Sequence, residues 1–294
     1  MLKNIALLLL LLNLSSCKEA SNARGFPEDY NVEIEAYWID RTESRKGNYL
    51  QLIGLFKLDS LNTFGKSPEN KFVLSATDIP DNIGTIAVND TIIHFYPESN
   101  MEISDKDGTA IIDTRLNLDE FGSSVRMYHK HLNWQIITRS GSLYLRVWDE
   151  KNPAIQSFKG FEYYDLNPEM IFTGKFTYYE TQKTESVKSQ LGVNANTNFI
   201  GKITFQYKGE THDLDVGSNG FTMVADATTG DNSYGGGRYI YLELPKENGT
   251  VEIDFNKLYN PPCSFSDFTT CLYPPRQNHL PFAIMAGETI TSTN

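Results

Sequence analysis

The sequence predicts a mainly β protein: antiparallel sheets forming a barrel or sandwich, with a short N-terminal helix and a proline-rich, ordered C-terminal loop segment. Three observations carry this. Runs of β-branched and aromatic residues recur at short spacing from Tyr49 onward, a composition suited to a pleated, half-buried surface. Turn chemistry separates them, as at Asn89-Asp90, Lys208-Gly209 and Asn248-Gly249. No stretch among them has the length and period of the crossover helices that a parallel sheet needs.

The helix falls at residues 29–46, where Tyr30, Ile34, Tyr37, Trp38 and Arg41 recur at helical spacing, with Asp29 near the start and Gly47 as the stop. Residues 32–36 also alternate like a strand. Strands are expected at 50–58, 72–75, 85–88 and 91–96, the last two forming a hairpin across Asn89-Asp90. Others follow at 109–113, 125–129, 134–138 and 143–148, with Gly141 supplying the freedom a tight hairpin needs. The second half continues with 170–178, 199–207, 211–216, 221–225, 238–244 and 251–255. Residues 165–168 and 181–198 are the most polar interruptions, the latter expected as a long loop. Residues 29–292 are expected to form one β-rich domain, with a two-lobed arrangement as the alternative.

The N-terminus reads as a signal peptide over residues 1–16: Lys3 gives the positive region, and Ile5 to Leu12 are an unbroken apolar run too short to span a bilayer. Leu14-Ser15-Ser16-Cys17 resembles the bacterial lipobox, which implies lipidation, including palmitate, at Cys17. Acyl chains contribute about 0.8 kcal/mol per buried methylene, so a multiply acylated cysteine anchors a domain without a transmembrane helix. Residues 17–28 are polar, with the composition of a tether. The expected location is the cell envelope, at the outer membrane, outside the cytoplasm.

Thirty-seven acidic against twenty-six basic residues give a net charge of −11, with no basic cluster longer than a pair. That balance argues against a nucleic-acid partner, whose phosphates must be neutralised by Lys and Arg. Sixteen Tyr and seventeen Phe serve mostly core and cross-strand packing, although surface tyrosines also stack on sugars, which leaves a glycan ligand open. Signatures of the common hydrolases, zinc proteases and nucleotide enzymes are absent. His129 and His131, two apart, read as an exposed strand end rather than zinc ligands. Nothing calls for a cofactor or a metal.

Chemistry-bearing residues concentrate late in the chain. Asp226, Thr228, Gly230, Ser233, Tyr234, Gly237 and Arg238 form a glycine-rich stretch, in which backbone N–H groups can approach an anion and Arg238 can fork onto a carboxylate or phosphate. Asp254, Asn256, Tyr259, Asn260, Cys263, Cys271, Asn278 and Glu288 follow among prolines that forbid regular ladders. Outside the cytoplasm Cys263 and Cys271 are expected to pair as a disulfide contributing about 2–3 kcal/mol; metal binding with His279 or Asp267 is the competitor.

These blocks resemble domain-of-unknown-function family 1684, a group of bacterial and archaeal proteins. The resemblance runs through Asp226-x-Thr228-x-Gly230, Tyr234-x-x-Gly237-Arg238-Tyr239, Asp254-Phe255-Asn256, Tyr259 to Cys263, Cys271, Pro274-Pro275, Asn278 and Ala286-Gly287-Glu288. Weaker echoes occur upstream at Leu55-Phe56, Asn62-x-Phe64-Gly65, Arg146-Val147-x-Asp149 and Phe158-x-Gly160. Ser233 stands where the family usually has Thr, and Leu272 where Pro is usual. The family name supplies no reaction; the resemblance implies that the polar cluster is a shared feature.

Three functions follow as expectations. The first is binding of a small polar or anionic ligand in a pocket built from 226–238 and 254–288, with Arg238 and Arg146 neutralising it and Asn256, Asn260 and Asn278 orienting it. The second is hydrolysis with Asp226, Asp254 or Glu288 as acid or base, aided by Tyr234 or Arg238. The third is a scaffold in which the cluster is a hydrogen-bonded clasp with no pocket.

Overall fold

The computed structural model describes residues 25–190, 192 and 194–292. The signal peptide, Cys17 and the first part of the tether lie outside the described residues. The last tether residues form a turn whose Phe26 stacks on Tyr30, ring centroids 4.5 Å apart. Helix α1 (Tyr30–Asn48) buries Tyr30, Ile34 and Arg45, one stripe at i, i+4 steps that ends in a charge. Asp29 makes no side-chain cap, and the helix runs one residue past Gly47. The N–H groups of Tyr49 and Leu50 both bond the Arg45 carbonyl, and Trp148 Nε1 donates to the Asn48 carbonyl at 3.2 Å, so the end is secured without a left-handed glycine.

Two sheets follow. Their strands are β1 (Leu52–Lys57), β2 (Leu61–Gly65), β3 (Phe72–Val73), β4 (Gly84–Asn89), β5 (Ile92–Pro97), β6 (Thr114–Leu116), β7 (Met127–His129), β8 (Leu132–Arg139) and β9 (Ser142–Asp149). One sheet has the order β1-β9-β8-β7, the other β3-β2-β4-β5-β6, and only β2–β3 is parallel. They share a core centred on Trp134, whose ring meets Phe64 and Phe95 edge-on at 5.5 and 6.0 Å. Strand alternation sends Leu145 and Val147 into that core and turns Arg146 and Trp148 to the opposite face. The hairpin at Ser140-Gly141 has φ of 47° and 75°, the primed geometry that matches strand twist.

The second half holds a short helix α2 (Ala154–Ser157) and strands β10 (Phe161–Tyr163), β11 (Ile171–Lys188), β12 (Asn194–Tyr207), β13 (Glu210–Gly217), β14 (Phe221–Val224), β15 (Arg238–Tyr241), β16 (Gly249–Asp254) and β17 (Glu288–Ser292). A sheet of order β13-β12-β11-β16 and the pairs β14-β15 and β10-β17 enclose a second core around Phe176, Ile203, Leu214, Ile253 and Phe255. The fold is thus mainly β and sandwich-like, and the strands of the described residues close into no barrel. Residues 255–287 run as turns and short 3₁₀ segments, the ordered proline-rich segment expected.

Three expectations need correction. Residues 181–198 are not a long loop: β11 and β12 extend as a hairpin pairing Lys183–Lys188 with Asn194–Phe199. Both faces of these arms are mostly polar, so the alternation that marks a half-buried strand is missing. The strand expected at 109–113 is displaced to Thr114–Leu116, because Asp105 Oδ1 accepts the N–H groups of Asp107 and Thr109 and folds the chain into a turn. His129 and His131 do not share a strand face, since Lys130 (φ 53°) turns the chain between β7 and β8. His131 is buried with Nδ1 2.7 Å from Asp149 Oδ1.

Candidate functional site

The late polar residues come together and bond mainly to one another and to nearby backbone, although Arg238 Nε and Asn260 Oδ1 are buried without a partner. Arg238, fully buried at the start of β15, donates from Nη2 to Asp226 Oδ2 (2.8 Å) and the Ile284 carbonyl (3.0 Å), and from Nη1 to the carbonyls of Ala286 (2.5 Å) and Glu288 (3.2 Å). Asp226 Oδ1 accepts the N–H and hydroxyl of Thr228 and the N–H of Ile284. One ion pair therefore ties the 226–238 loop to the otherwise irregular chain at 284–288, supplying partners that no ladder provides. Gly237, at φ 80°, lets Pro274 lie where a Cβ would be 2.5 Å from its Cγ, and Gly235 to Gly237 border a separate cavity with Lys188 and Arg276. The Tyr234 hydroxyl donates to the Cys263 carbonyl at 3.2 Å.

A second buried pair secures α1. Glu288 takes both nitrogens of Arg45, at 2.7 and 2.8 Å, and also accepts from the Asn260 N–H (2.6 Å) and the Tyr163 hydroxyl (3.2 Å). The Arg45 guanidinium lies 5.1 and 5.2 Å from the ring centres of Phe161 and Phe265. Asp254 accepts the Tyr30 hydroxyl and both nitrogens of Asn256, whose amide also brackets Asn167. The Asn278 amide bonds Asp215 N, Asp215 O and Met223 O, standing in for a strand between β13 and β14. Asn260 donates to the Thr289 carbonyl. Burial, then the charge and hydrogen bond of Asp254, push the Tyr30 hydroxyl far above its ordinary range.

None of Asp226, Thr228, Tyr234, Arg238, Asp254, Asn256, Asn260, Asn278 or Glu288 lines any of the five principal cavities of the described residues. Arg146 does, and it stands apart from them. A cleft of about 430 Å³ opens between the end of α1, the outward face of β8–β9 and a wall of Tyr239, Tyr241 and Tyr259. Three guanidinium groups, Arg41, Arg139 and Arg146, line it, and no lining residue is acidic. Arg146 has a buried Nε without a hydrogen-bond partner. Burial first, then the nearby charges of Arg139 and Arg126, push its guanidinium down to about 10, so it stays charged at neutral pH and is destabilised by its surroundings.

The cleft's other parts are well fixed. The Arg41 guanidinium stacks 4.1 Å from the Tyr259 ring centre. The Tyr239 hydroxyl donates to the Leu272 carbonyl at 2.5 Å, and the Cys263–Cys271 disulfide closes the loop that forms the adjoining wall. The expected disulfide is thus present, with Cα atoms 6.0 Å apart. Sequence reasoning passed over Arg41, Arg45, Arg139 and the tyrosine wall. A signal existed for two of them: Arg41 and Arg45 continue the apolar stripe of α1, and an arginine on such a stripe is buried and in need of a partner.

A mainly β, sandwich-like protein with internally paired buried arginines and one unpaired cationic cleft is the class that fold and site define. Residues 156–289 match the family described as "Protein of unknown function (DUF1684)". The upstream echoes other than Phe158-x-Gly160, Arg146 among them, lie before that match. A solution NMR structure of an uncharacterized protein of Haloarcula marismortui is similar at 29% identity over 46% of this chain and 78% of that one, with a TM-score of 0.38. No curated protein matches the chain.

Proposed function

We propose that this chain is an envelope lipoprotein, tethered through Cys17 at the outer membrane, that binds a small anionic ligand in the cleft of Arg41, Arg139 and Arg146. The observation that carries the reading is the partly buried Arg146 guanidinium, with an unpartnered Nε and two further arginines beside it in a cleft that has no carboxylate. A buried charge is costly unless paired, and an incoming anion would supply the pair. Aromatic stacking orients the Arg41 fork toward the same space. The site anticipated at 226–238 and 254–288 is better read as a clasp. Its carboxylates are engaged by arginines, tyrosine and backbone N–H groups, and Asp226, Asp254 and Glu288 line none of the five cavities, which counts against acid–base chemistry there.

Calorimetric titration of the full chain with phosphate, pyrophosphate and citrate tests the binding half. At least one should bind with millimolar or better affinity, and Arg146→Met should weaken it about tenfold or more, the range for losing a charge-assisted hydrogen bond. Equal binding by wild type and variant would reject the assignment. For the tether, labelled palmitate should enter the wild type and not a Cys17→Ser variant; equal incorporation would remove the anchor.

A further inference from the structure

Resting on the anion-site reading, the geometry points to a sugar that carries a phosphate or carboxylate as the occupant of the cleft, its acid group at Arg139 and Arg146 and its ring on the tyrosine wall. The cleft has two chemically distinct ends. The cationic one comes from β8–β9; the other presents aromatic faces, of which Tyr241 is 52% exposed although it packs 5.3 Å from Phe221 and lies parallel to Tyr259, 6.4 Å centre to centre. A half-exposed tyrosine on a cavity wall offers a flat apolar face that one side of a sugar ring can cover while its hydroxyls point sideways.

The lateral groups decide between a sugar and a flat aromatic ligand. The Ser44 and Thr270 hydroxyls line the cleft and make no hydrogen bond among the described residues, and the Asn48 side chain uses only its nitrogen, on the Ser44 carbonyl. An aryl phosphate would cover the tyrosines and leave these groups unanswered; ring hydroxyls would answer them. At about 430 Å³ the cleft has room for a single sugar ring with its acid group. The same chemistry arises from a sugar phosphate or a uronic acid, and the two are separate arms of the test.

The experiment titrates the full chain with inorganic phosphate, glucose 6-phosphate, galacturonate, acetate and phenyl phosphate, in wild type, Tyr241→Ala and Thr270→Val. Glucose 6-phosphate or galacturonate should bind about tenfold or more tighter than its bare acid, phosphate or acetate, and tighter than phenyl phosphate. Both variants should shrink that increment about tenfold; because the Arg41 guanidinium lies 5.8 Å from the Tyr241 ring centre, Tyr241→Ala should also weaken phosphate binding, but by less than it weakens the sugar acid. The exposure of Tyr241 makes its removal tolerable to the fold, which a melting curve verifies. Phosphate binding as tightly as its sugar ester, or phenyl phosphate binding tightest, overturns the sugar assignment and leaves the anion site standing. Binding of no anion by wild type overturns both.

Discussion

Arg238 and Arg146 are both withdrawn from water, and each keeps a buried Nε without a partner, but their charges are answered differently. Arg238 meets a carboxylate and three carbonyls through its terminal nitrogens; Arg146 meets two other arginines and the Trp148 ring, with no ion-pair partner among the described residues. An ion-paired buried charge holds segments of chain in place, and one without a counter-charge is a standing cost that a ligand can relieve. The difference assigns structure to the first and binding to the second, and each assignment can be broken separately.

The largest effects should come from the clasp. Arg45→Met leaves Glu288 buried without its bidentate partner, and Arg238→Met leaves Asp226 buried without the ion-pair bond from Nη2, so each should lower unfolding free energy by about 3–5 kcal/mol in urea titrations. Anion affinity measured below the transition should persist. A loss under 1 kcal/mol in both variants would remove the clasp. Next comes the disulfide: replacing Cys263 and Cys271 by serine frees the loop and should cost about 2–3 kcal/mol. Here affinity should fall as well, because that loop supplies a wall of the cleft; unaltered affinity would detach the loop from the site.

How far the sequence revealed these two arginines follows from their surroundings. Arg238 sat among Asp226, Gly237 and Glu288 in a dense polar stretch, so its importance was visible, but a sequence does not show that Asp226 and three carbonyls engage both its terminal nitrogens. Arg146 was expected as a second neutralising charge for the 226–288 cluster, and the strand pattern around it did not show that it lies elsewhere. Its meaning depends on Arg41, about a hundred residues earlier in the chain, and on Tyr239 and Tyr241 nearly as far beyond it, contacts that no local pattern encodes. The fold was more legible because hairpins such as Ser140-Gly141 and Lys208-Gly209 are local, and periodicity marks strands with one buried face. It failed at 181–198, where both faces are polar.

A smaller effect tests the cost at Arg146 directly. Replacing it by Met removes an uncompensated charge and keeps the apolar stem, so the ligand-free variant should be as stable as wild type or more stable by about 1 kcal/mol. A loss of several kcal/mol would show that Arg146 has a structural role like that of Arg238. Screening of exposed charge by salt should leave the comparison nearly unchanged, because the Nε is buried.

The smallest effect is the pH dependence of that difference. Because the folded Arg146 is pushed down to about 10 while the unfolded chain keeps the ordinary arginine value, its penalty is complete below pH 10 and lifts as pH climbs from there toward the ordinary range. The tyrosines act oppositely. Burial pushes Tyr37 up to about 12 and Tyr239 and Tyr259 higher still, so their contribution is present below the ordinary value near 10 and declines as pH rises through it. Total stability of either protein should therefore fall on the alkaline side, with more buried tyrosines than Arg146 can offset. Subtracting wild type from Arg146→Met cancels the tyrosines, and the variant's advantage should shrink as pH is raised from 9 to 11. Anion affinity of the wild type should weaken over the same interval, because the anion and the proton on Arg146 stabilise one another. A difference that stays flat through pH 11, with unchanged affinity, would mean that the charge on Arg146 bears neither the cost nor the binding assigned to it.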